Sequence, residues 1–211
     1  MTRASEVYEI LRDEIVRGDL RPNQRITELE LATRLEVSRT PIREALQMLA
    51  RDELIVSRRR GWVVYEFTLA EIRHLSEIRA ALEGYAAGLA ARHAKTEDID
   101  ALEQSYRTSL DEVKADRRRI IVVNDRFHHG VNRLSGNPFL VKMIQKSRRY
   151  YFNYQAETLY SDDELWRSMS DHDFIIAALR RRDAETVERV ARGHVEELIR
   201  VVEERLRPSA T

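Results

Sequence analysis

Residues 31–46, LATRLEVSRTPIREAL, constrain the fold of this chain more than any other stretch. They read as two short helices joined by a tight turn. Thr27-Glu28-Leu29-Glu30 supplies a Thr-x-x-Glu capping box that opens the first of them, which runs to about Leu35. Ser38 stands at the cap of the next, and Pro41 falls in its first turn, where a missing N–H costs nothing. Ile42, Ala45, Leu46 and Leu49 fall mostly on one side and would pack a core. Arg39 and Arg43, spaced i, i+4, point from the opposite face.

Further on, Arg58-Arg59-Arg60-Gly61 lies between two β-rich runs, Leu54 to Arg58 and Trp62 to Phe67, and reads as the turn of a hairpin. An amphipathic helix over 4–17 precedes all of this, with Val7, Ile10, Leu11 and Ile15 on one face and Gly18 and Pro22 closing it. A helix-turn-helix followed by a basic hairpin tip is the layout of a winged DNA-binding domain. In such proteins the N-terminal end of the recognition helix enters the major groove. Ser38, Arg39, Thr40 and Arg43 lie at that end. An arginine bidentate to guanine contributes roughly 1–3 kcal/mol of base discrimination. The plainer reading makes Arg39 and Arg43 solvated charges paired with Glu36 and Glu44. Tri-basic runs recur at 117–119 and 180–182, so the basic tip gains its meaning from its place after a strand and before Gly61.

The totals agree with this reading without proving it. Net charge is zero, but between Arg34 and Arg60 seven arginines stand against four acids. Arginine outnumbers lysine 32 to 4 over the whole chain, so abundance alone says nothing about DNA. The chain has no cysteine, which excludes disulfides and thiolate metal sites and suits a reducing cytoplasm. The most apolar long stretch, Ala80 to Ala91, is interrupted by Glu83 and is too short and too polar to span a bilayer. With no leader pattern at the N-terminus, a cytoplasmic protein without membrane contact is expected.

From Thr68, where Thr-Leu-Ala-Glu offers another capping box, the pattern is helical to Arg207. The periodicity predicts helices near 68–93, 97–116, 118–135, 138–158, 162–182 and 184–206. The expected fold is therefore mainly α: a winged helix-turn-helix with a small β-hairpin over 1–67, then an antiparallel α-helical bundle over 68–211.

Three histidines sit on apolar stripes of separate helices. His128 shares a stripe with Val123, Phe127, Val131 and Leu134; His172 heads Ile175, Ile176 and Leu179; His194 continues Val187, Val190 and Ala191. A single histidine so placed is an ordinary core residue. Three facing one bundle interior suggest a divalent-metal site, and Asn124, one turn before His128, can grip the same ion. Arg79 interrupts another apolar stripe, Ile72, Leu75, Leu82, Ala86 and Leu89. A buried guanidinium needs a partner, and Glu83, one turn on, is one choice; a ligand is the other.

The segment QRITELELATRLEVSRTPIREALQMLARDELIVSRRRGWVV resembles the winged helix of the GntR family of bacterial transcription regulators. NDRFHHGVNRLSGNPFL and DHDFIIAALRRRDAETVERVARGHVEELI resemble the ligand-sensing FCD domain of its FadR subfamily, in a short, VanR-like form. The resemblance covers nearly the whole chain. It implies that Arg39 and Arg43 reach bases or nearby phosphates, with Ser38, Thr40 and Pro41 at the DNA backbone, Arg34 on a phosphate, and Arg60-Gly61 at the wing tip. A glycine is common where Glu36 stands. It also implies that Asn124, His128, His172 and His194 hold a metal, zinc first and nickel or manganese next, with asparagine in place of the more usual aspartate. Arg79 and the metal together would hold a small carboxylate metabolite, and Arg148 and Tyr151 would line the same cavity.

The function expected from this is a ligand-responsive regulator, a repressor, that binds a near-palindromic double-stranded operator as a homodimer. Two other readings stay open: a metal-dependent enzyme, and a regulator whose bundle serves only dimerisation.

Overall fold

The computed structural model describes residues 2–59, 61–116, 119–148 and 161–206. These fall into two compact units, one reaching Thr68 and the other beginning at Leu69.

The first unit contains α1 (Arg3–Val16), β1 (Arg25–Ile26), α2 (Glu28–Arg34), α3 (Arg39–Arg51), β2 (Ile55–Arg58) and β3 (Gly61–Val64). The Thr2 side chain caps α1 by accepting from the Ser5 N–H, and Gly18, at φ +75°, turns the chain after it. Val7, Leu11 and Ile15 of α1 are buried, and α1 packs on α3. Ile10, expected on that face, is instead 45% exposed, because it lies about 100° around the helix from Leu11. Ile42, Ala45, Leu46 and Leu49 of α3 are fully buried and join the α1 residues in one core with Leu54, Ile55 and Val64.

The capping residues behave differently from one another. Thr27 accepts from the Glu30 N–H at 3.3 Å and donates its hydroxyl to the Glu30 carboxylate at 2.7 Å. Ser38 has the extended conformation of an N-cap, but its hydroxyl makes no cap bond, contrary to expectation. In the turn between α2 and α3, Glu36 adopts φ +54°. This left-handed conformation explains why glycine suits the position.

The sheet is antiparallel, in the order β1-β3-β2. The hairpin of β2 and β3 was expected; β1 was not, since two residues carry no alternation to detect. Gly61 is the first residue of β3 and pairs with Arg58 where the hairpin turns. Its φ is +146°, and a Cβ there would stand 2.8 Å from the Ile26 carbonyl oxygen. Both facts require glycine. Arg60 lies outside the described residues.

The second unit contains α4 (Leu69–His93), α5 (Thr96–Ala115), α6 (Ile120–Leu134), α7 (Pro138–Arg148), α8 (Asp162–Arg180) and α9 (Ala184–Leu206). The helix expected over 138–158 is α7 as far as Arg148, and 149–158 lie outside the described residues. Ser161 and Glu164 form a complete capping box at the start of α8. Helix α4 packs most extensively along α9 and also touches α6, α7 and α8. It lies close to α9 at Gly84, where a Cβ would stand 3.0 Å from the Glu188 carbonyl oxygen; at Gly88 a Cβ would meet the movable Glu188 carboxylate at the same distance. The core joins Ala87, Ala90 and Ala91 of α4 to Phe127 and Val131 of α6, Ile175 and Leu179 of α8, and Val187 and Ala191 of α9. Among the described residues no helix is long and apolar enough to cross a membrane.

Candidate DNA interface and histidine cluster

The polar side of α3 is open to solvent. Ser38, Arg39, Thr40 and Arg43 are all exposed, and Pro41 is half-buried. Arg43 pairs neither with Glu36 nor with Glu44. It donates from Nε to Glu28 Oε1 at 3.1 Å and from Nη2 to Glu28 Oε2 at 2.9 Å. The Glu28 carboxyl is held below its usual range, chiefly by that hydrogen bonding, with Arg39 adding a weaker attraction. Arg34, at the end of α2, donates from Nη2 to Glu14 of α1 at 2.6 Å. Both carboxylates come from other helices than the arginines they meet, which is why helical spacing did not suggest them.

In the second unit, His128 (α6), His172 (α8) and His194 (α9) come together and are buried. The Nε2 atoms of His128 and His194 are 2.9 Å apart, and those of His172 and His128 3.2 Å. Three nitrogens bound tetrahedrally to one zinc at about 2.1 Å would lie about 3.4 Å from one another. Two of the three separations are thus close to those of a ligand set, and all three nitrogens lie within 4.8 Å of one another. Phe127 stacks on the His172 ring with centroids 4.1 Å apart, and Tyr106 meets the same ring edge-on at 5.2 Å. These rings wall the site with apolar surface.

The outward-facing nitrogens support the same geometry. His128 Nδ1 lies 3.2 Å from Glu83 Oε2, and His194 Nδ1 lies 3.1 Å from Asp171 Oδ2. A carboxylate accepts but cannot donate at neutral pH, so each Nδ1 carries the proton and each Nε2 turns a lone pair inward. Burial drives the pKa of His128 down to about 3 in spite of Glu83, which favours the charged form. Burial also holds His172 well below its ordinary value, with its two histidine neighbours adding to the effect. Imidazole nitrogens that converge in this way suit a divalent cation. The lone pairs of His128 and His194 face each other and cannot satisfy one another, whereas a shared cation satisfies both, and His172 Nε2 lies 3.2 Å from His128 Nε2. The donor set fits a metal. Asn124 is half-buried one turn before His128 on α6.

Glu83 also organises the arginines. Arg79 is fully buried and donates from Nε to Glu83 Oε1 at 2.6 Å, the partner that spacing offered. Arg148 Nε lies 3.6 Å from the same oxygen, and its Nη2 donates to Asp125 at 2.9 Å. Burial alone would raise the Glu83 pKa, but Arg148, Arg79 and His128 outweigh it and hold the carboxyl well below its usual range. The histidine cluster and two cationic side chains thus share one carboxylate. Tyr151 lies outside the described residues. Glu83 was anticipated only as a partner of Arg79, and Asp171 not at all; its neighbour His172 drew attention, yet Asp171 serves His194 on another helix.

The model for "Bacterial regulatory proteins, gntR family" matches residues 3–64, and the model for the FCD domain matches residues 74–197. The chain belongs to the GntR family and carries an FCD domain. It is a transcription regulator rather than an enzyme. Among its relatives is the HTH-type transcriptional repressor RspR of Escherichia coli, 29% identical over 92% of this chain and 86% of that one. Another is a probable D-xylose utilization operon transcriptional repressor of Paenarthrobacter nicotinovorans, 30% identical over the same shares. The solved structure of E. coli McbR/YncC matches 97% of this chain and 98% of its own, with a TM-score of 0.82 and 25% identity. The GntR match places the helix-turn-helix and wing in the DNA-binding part of the family, and the FCD match contains all three clustered histidines.

Proposed function

We propose that this GntR-family regulator is a homodimeric repressor that binds a near-palindromic operator and senses a small organic acid at a metal-containing pocket in its FCD domain. The observation that carries the sensing half is the convergence of three Nε2 atoms within a buried, aromatic-walled site. His128, His172 and His194 would hold the ion, zinc first, and Asn124 would add a carbonyl oxygen. When bound, the metal would supply a Lewis-acidic anchor for a carboxylate. Arg79 and Arg148, already gathered on Glu83, would contribute positive charge toward that anion. At the DNA end, α3 would enter the major groove with Arg39 and Arg43 toward bases and Ser38, Thr40 and Pro41 toward the backbone. Arg34 would meet phosphate, and Arg60 and Gly61 the groove beside the wing. Two relatives named as repressors support that sign of regulation.

The dimer reading draws on an apolar surface of the second unit. Ile78, Leu82, Tyr85 and Leu89 follow one another on α4 at steps of four, three and four, the spacing of a helix seam. Ile78 and Tyr85 are exposed, as are Phe139 and Met143 on the adjoining α7. Single exposed apolar residues are ordinary, but a group on two packed helices marks an interface.

A thermal-shift screen of carboxylates against metal-loaded protein, followed by operator binding with each hit, tests the whole reading. A genuine effector must bind the operator-free and operator-bound forms unequally. A compound that stabilises the protein and leaves operator affinity unchanged is not the effector. If no carboxylate stabilises the metal-loaded protein, the sensing half of the reading fails.

A further inference from the structure

We propose that Glu28 determines sequence specificity: by gripping one edge of the Arg43 guanidinium, it leaves the other edge as a fixed two-pronged donor for guanine. This rests on the reading that α3 enters the major groove. A guanidinium carries five N–H donors in one rigid plane. The bonds to Glu28 use Nε–H and the Nη2 hydrogen beside it. The remaining edge consists of Nη1 and the outer hydrogen of Nη2, and its spacing matches O6 and N7 of guanine. The Arg43 side chain is 60% exposed and that of Glu28 only 27%, so the carboxylate is the more sheltered member of the pair.

Two consequences follow, and both favour specific over non-specific binding. First, an arginine immobilised before DNA arrives loses less side-chain freedom on binding. Second, a neutralised guanidinium gains less from a stray phosphate, while its hydrogen bonds to a base edge remain available. As a contribution to folding the pair is small, because exposed ion pairs are worth little. Its effect lies in orientation. Arg34 makes a useful contrast: it donates to Glu14 from Nη2 through a single bond, which leaves the guanidinium plane free to turn, as suits a phosphate contact.

The test uses full-length protein and a random duplex pool. Preferred sites are selected with wild type, Arg43→Ala, Glu28→Gln and Glu28→Ala, and affinities for the wild-type site and a scrambled duplex are measured across salt concentrations. Glu28→Ala should lower the ratio of specific to scrambled affinity by about tenfold. It should also bind scrambled DNA more tightly, with a steeper salt dependence. The guanine preference it loses should lie at the position that Arg43→Ala loses, with Glu28→Gln intermediate. Replacing that guanine by 7-deazaguanine should weaken wild type and leave Glu28→Ala unaffected. If both Glu28 variants keep the wild-type ratio and preference while Arg43→Ala loses them, the inference is overturned. If Arg43→Ala itself keeps them, the recognition-helix reading falls first.

Discussion

The Nε2 atoms of His128 and His194 face each other at 2.9 Å while both Nδ1 atoms turn away to carboxylates. Such a pair is arranged to share something between its rings. Zinc added to chelator-treated protein should therefore raise the melting temperature. At a hundredfold excess over Kd the linkage amounts to about 2.7 kcal/mol. Elemental analysis of untagged wild type and His194→Ala checks this directly. Metal retained in full by the variant would remove His194 from the ligand set.

Asp171→Asn should weaken metal binding by about 10–100-fold, the usual effect of losing a carboxylate behind a ligating histidine. Asp171 is partly exposed, so the fold should be little affected. Nitrogen-15 NMR of the metal-free protein provides an independent readout: wild-type His194 should carry its proton on Nδ1, and the variant should not hold that tautomer. Glu83→Gln reaches deeper. It removes a countercharge from buried Arg79 and should cost about 3–5 kcal/mol of stability.

The metal-free protein should lose stability in mild acid. His128 is held neutral in the fold down to about pH 3, and His172 well below its ordinary value, whereas both would take up protons near pH 6.5 once unfolded. Below pH 6.5 the unfolded state therefore binds more protons, and stability falls with pH by about 1.4 kcal/mol per unit for each histidine. The His128 contribution stops growing near pH 3. Urea titrations between pH 7.5 and 5, with wild type and His128→Gln compared, check the slope; equal slopes would remove His128 from the account.

Much of this was legible in the sequence, and the part that was not has a common cause. The helices, the hairpin and the three inward histidines follow from periodicity, since each residue's direction is set by its own helix. Glu28 beside Arg43, Glu14 beside Arg34 and Asp171 beside His194 join different helices. Spacing within one helix cannot propose them. Arg79 with Glu83 was legible because the partners stand one turn apart. β1 escaped notice because its two residues are defined by pairing to β3 alone.

Glu36→Gly should stabilise the first unit by up to about 1 kcal/mol, because a side chain at φ +54° is strained where glycine is not. Chemical denaturation measures this, and a loss of stability would show that the glycine's greater freedom in the unfolded chain dominates.

Tyr85→Glu and Phe139→Glu each place a charge on the exposed apolar surface of α4 and α7 and should convert a dimer to a monomer in analytical ultracentrifugation. Operator affinity should fall with it, since two half-sites are then no longer bound together. A dimer that survives both substitutions would direct attention to other helices.

Gly84 gives the histidine cluster a mechanical gauge. It belongs to α4, which carries none of the three histidines, yet it sets how near α9 can lie, and His194 rides on α9. A methyl added at Gly84 would stand 3.0 Å from the Glu188 carbonyl oxygen of α9, so that backbone would have to give by a few tenths of an ångström. The proposed metal site would thus depend on a residue that contributes no side chain at all, and a substitution there would be felt at His194 although none of the three histidines was changed.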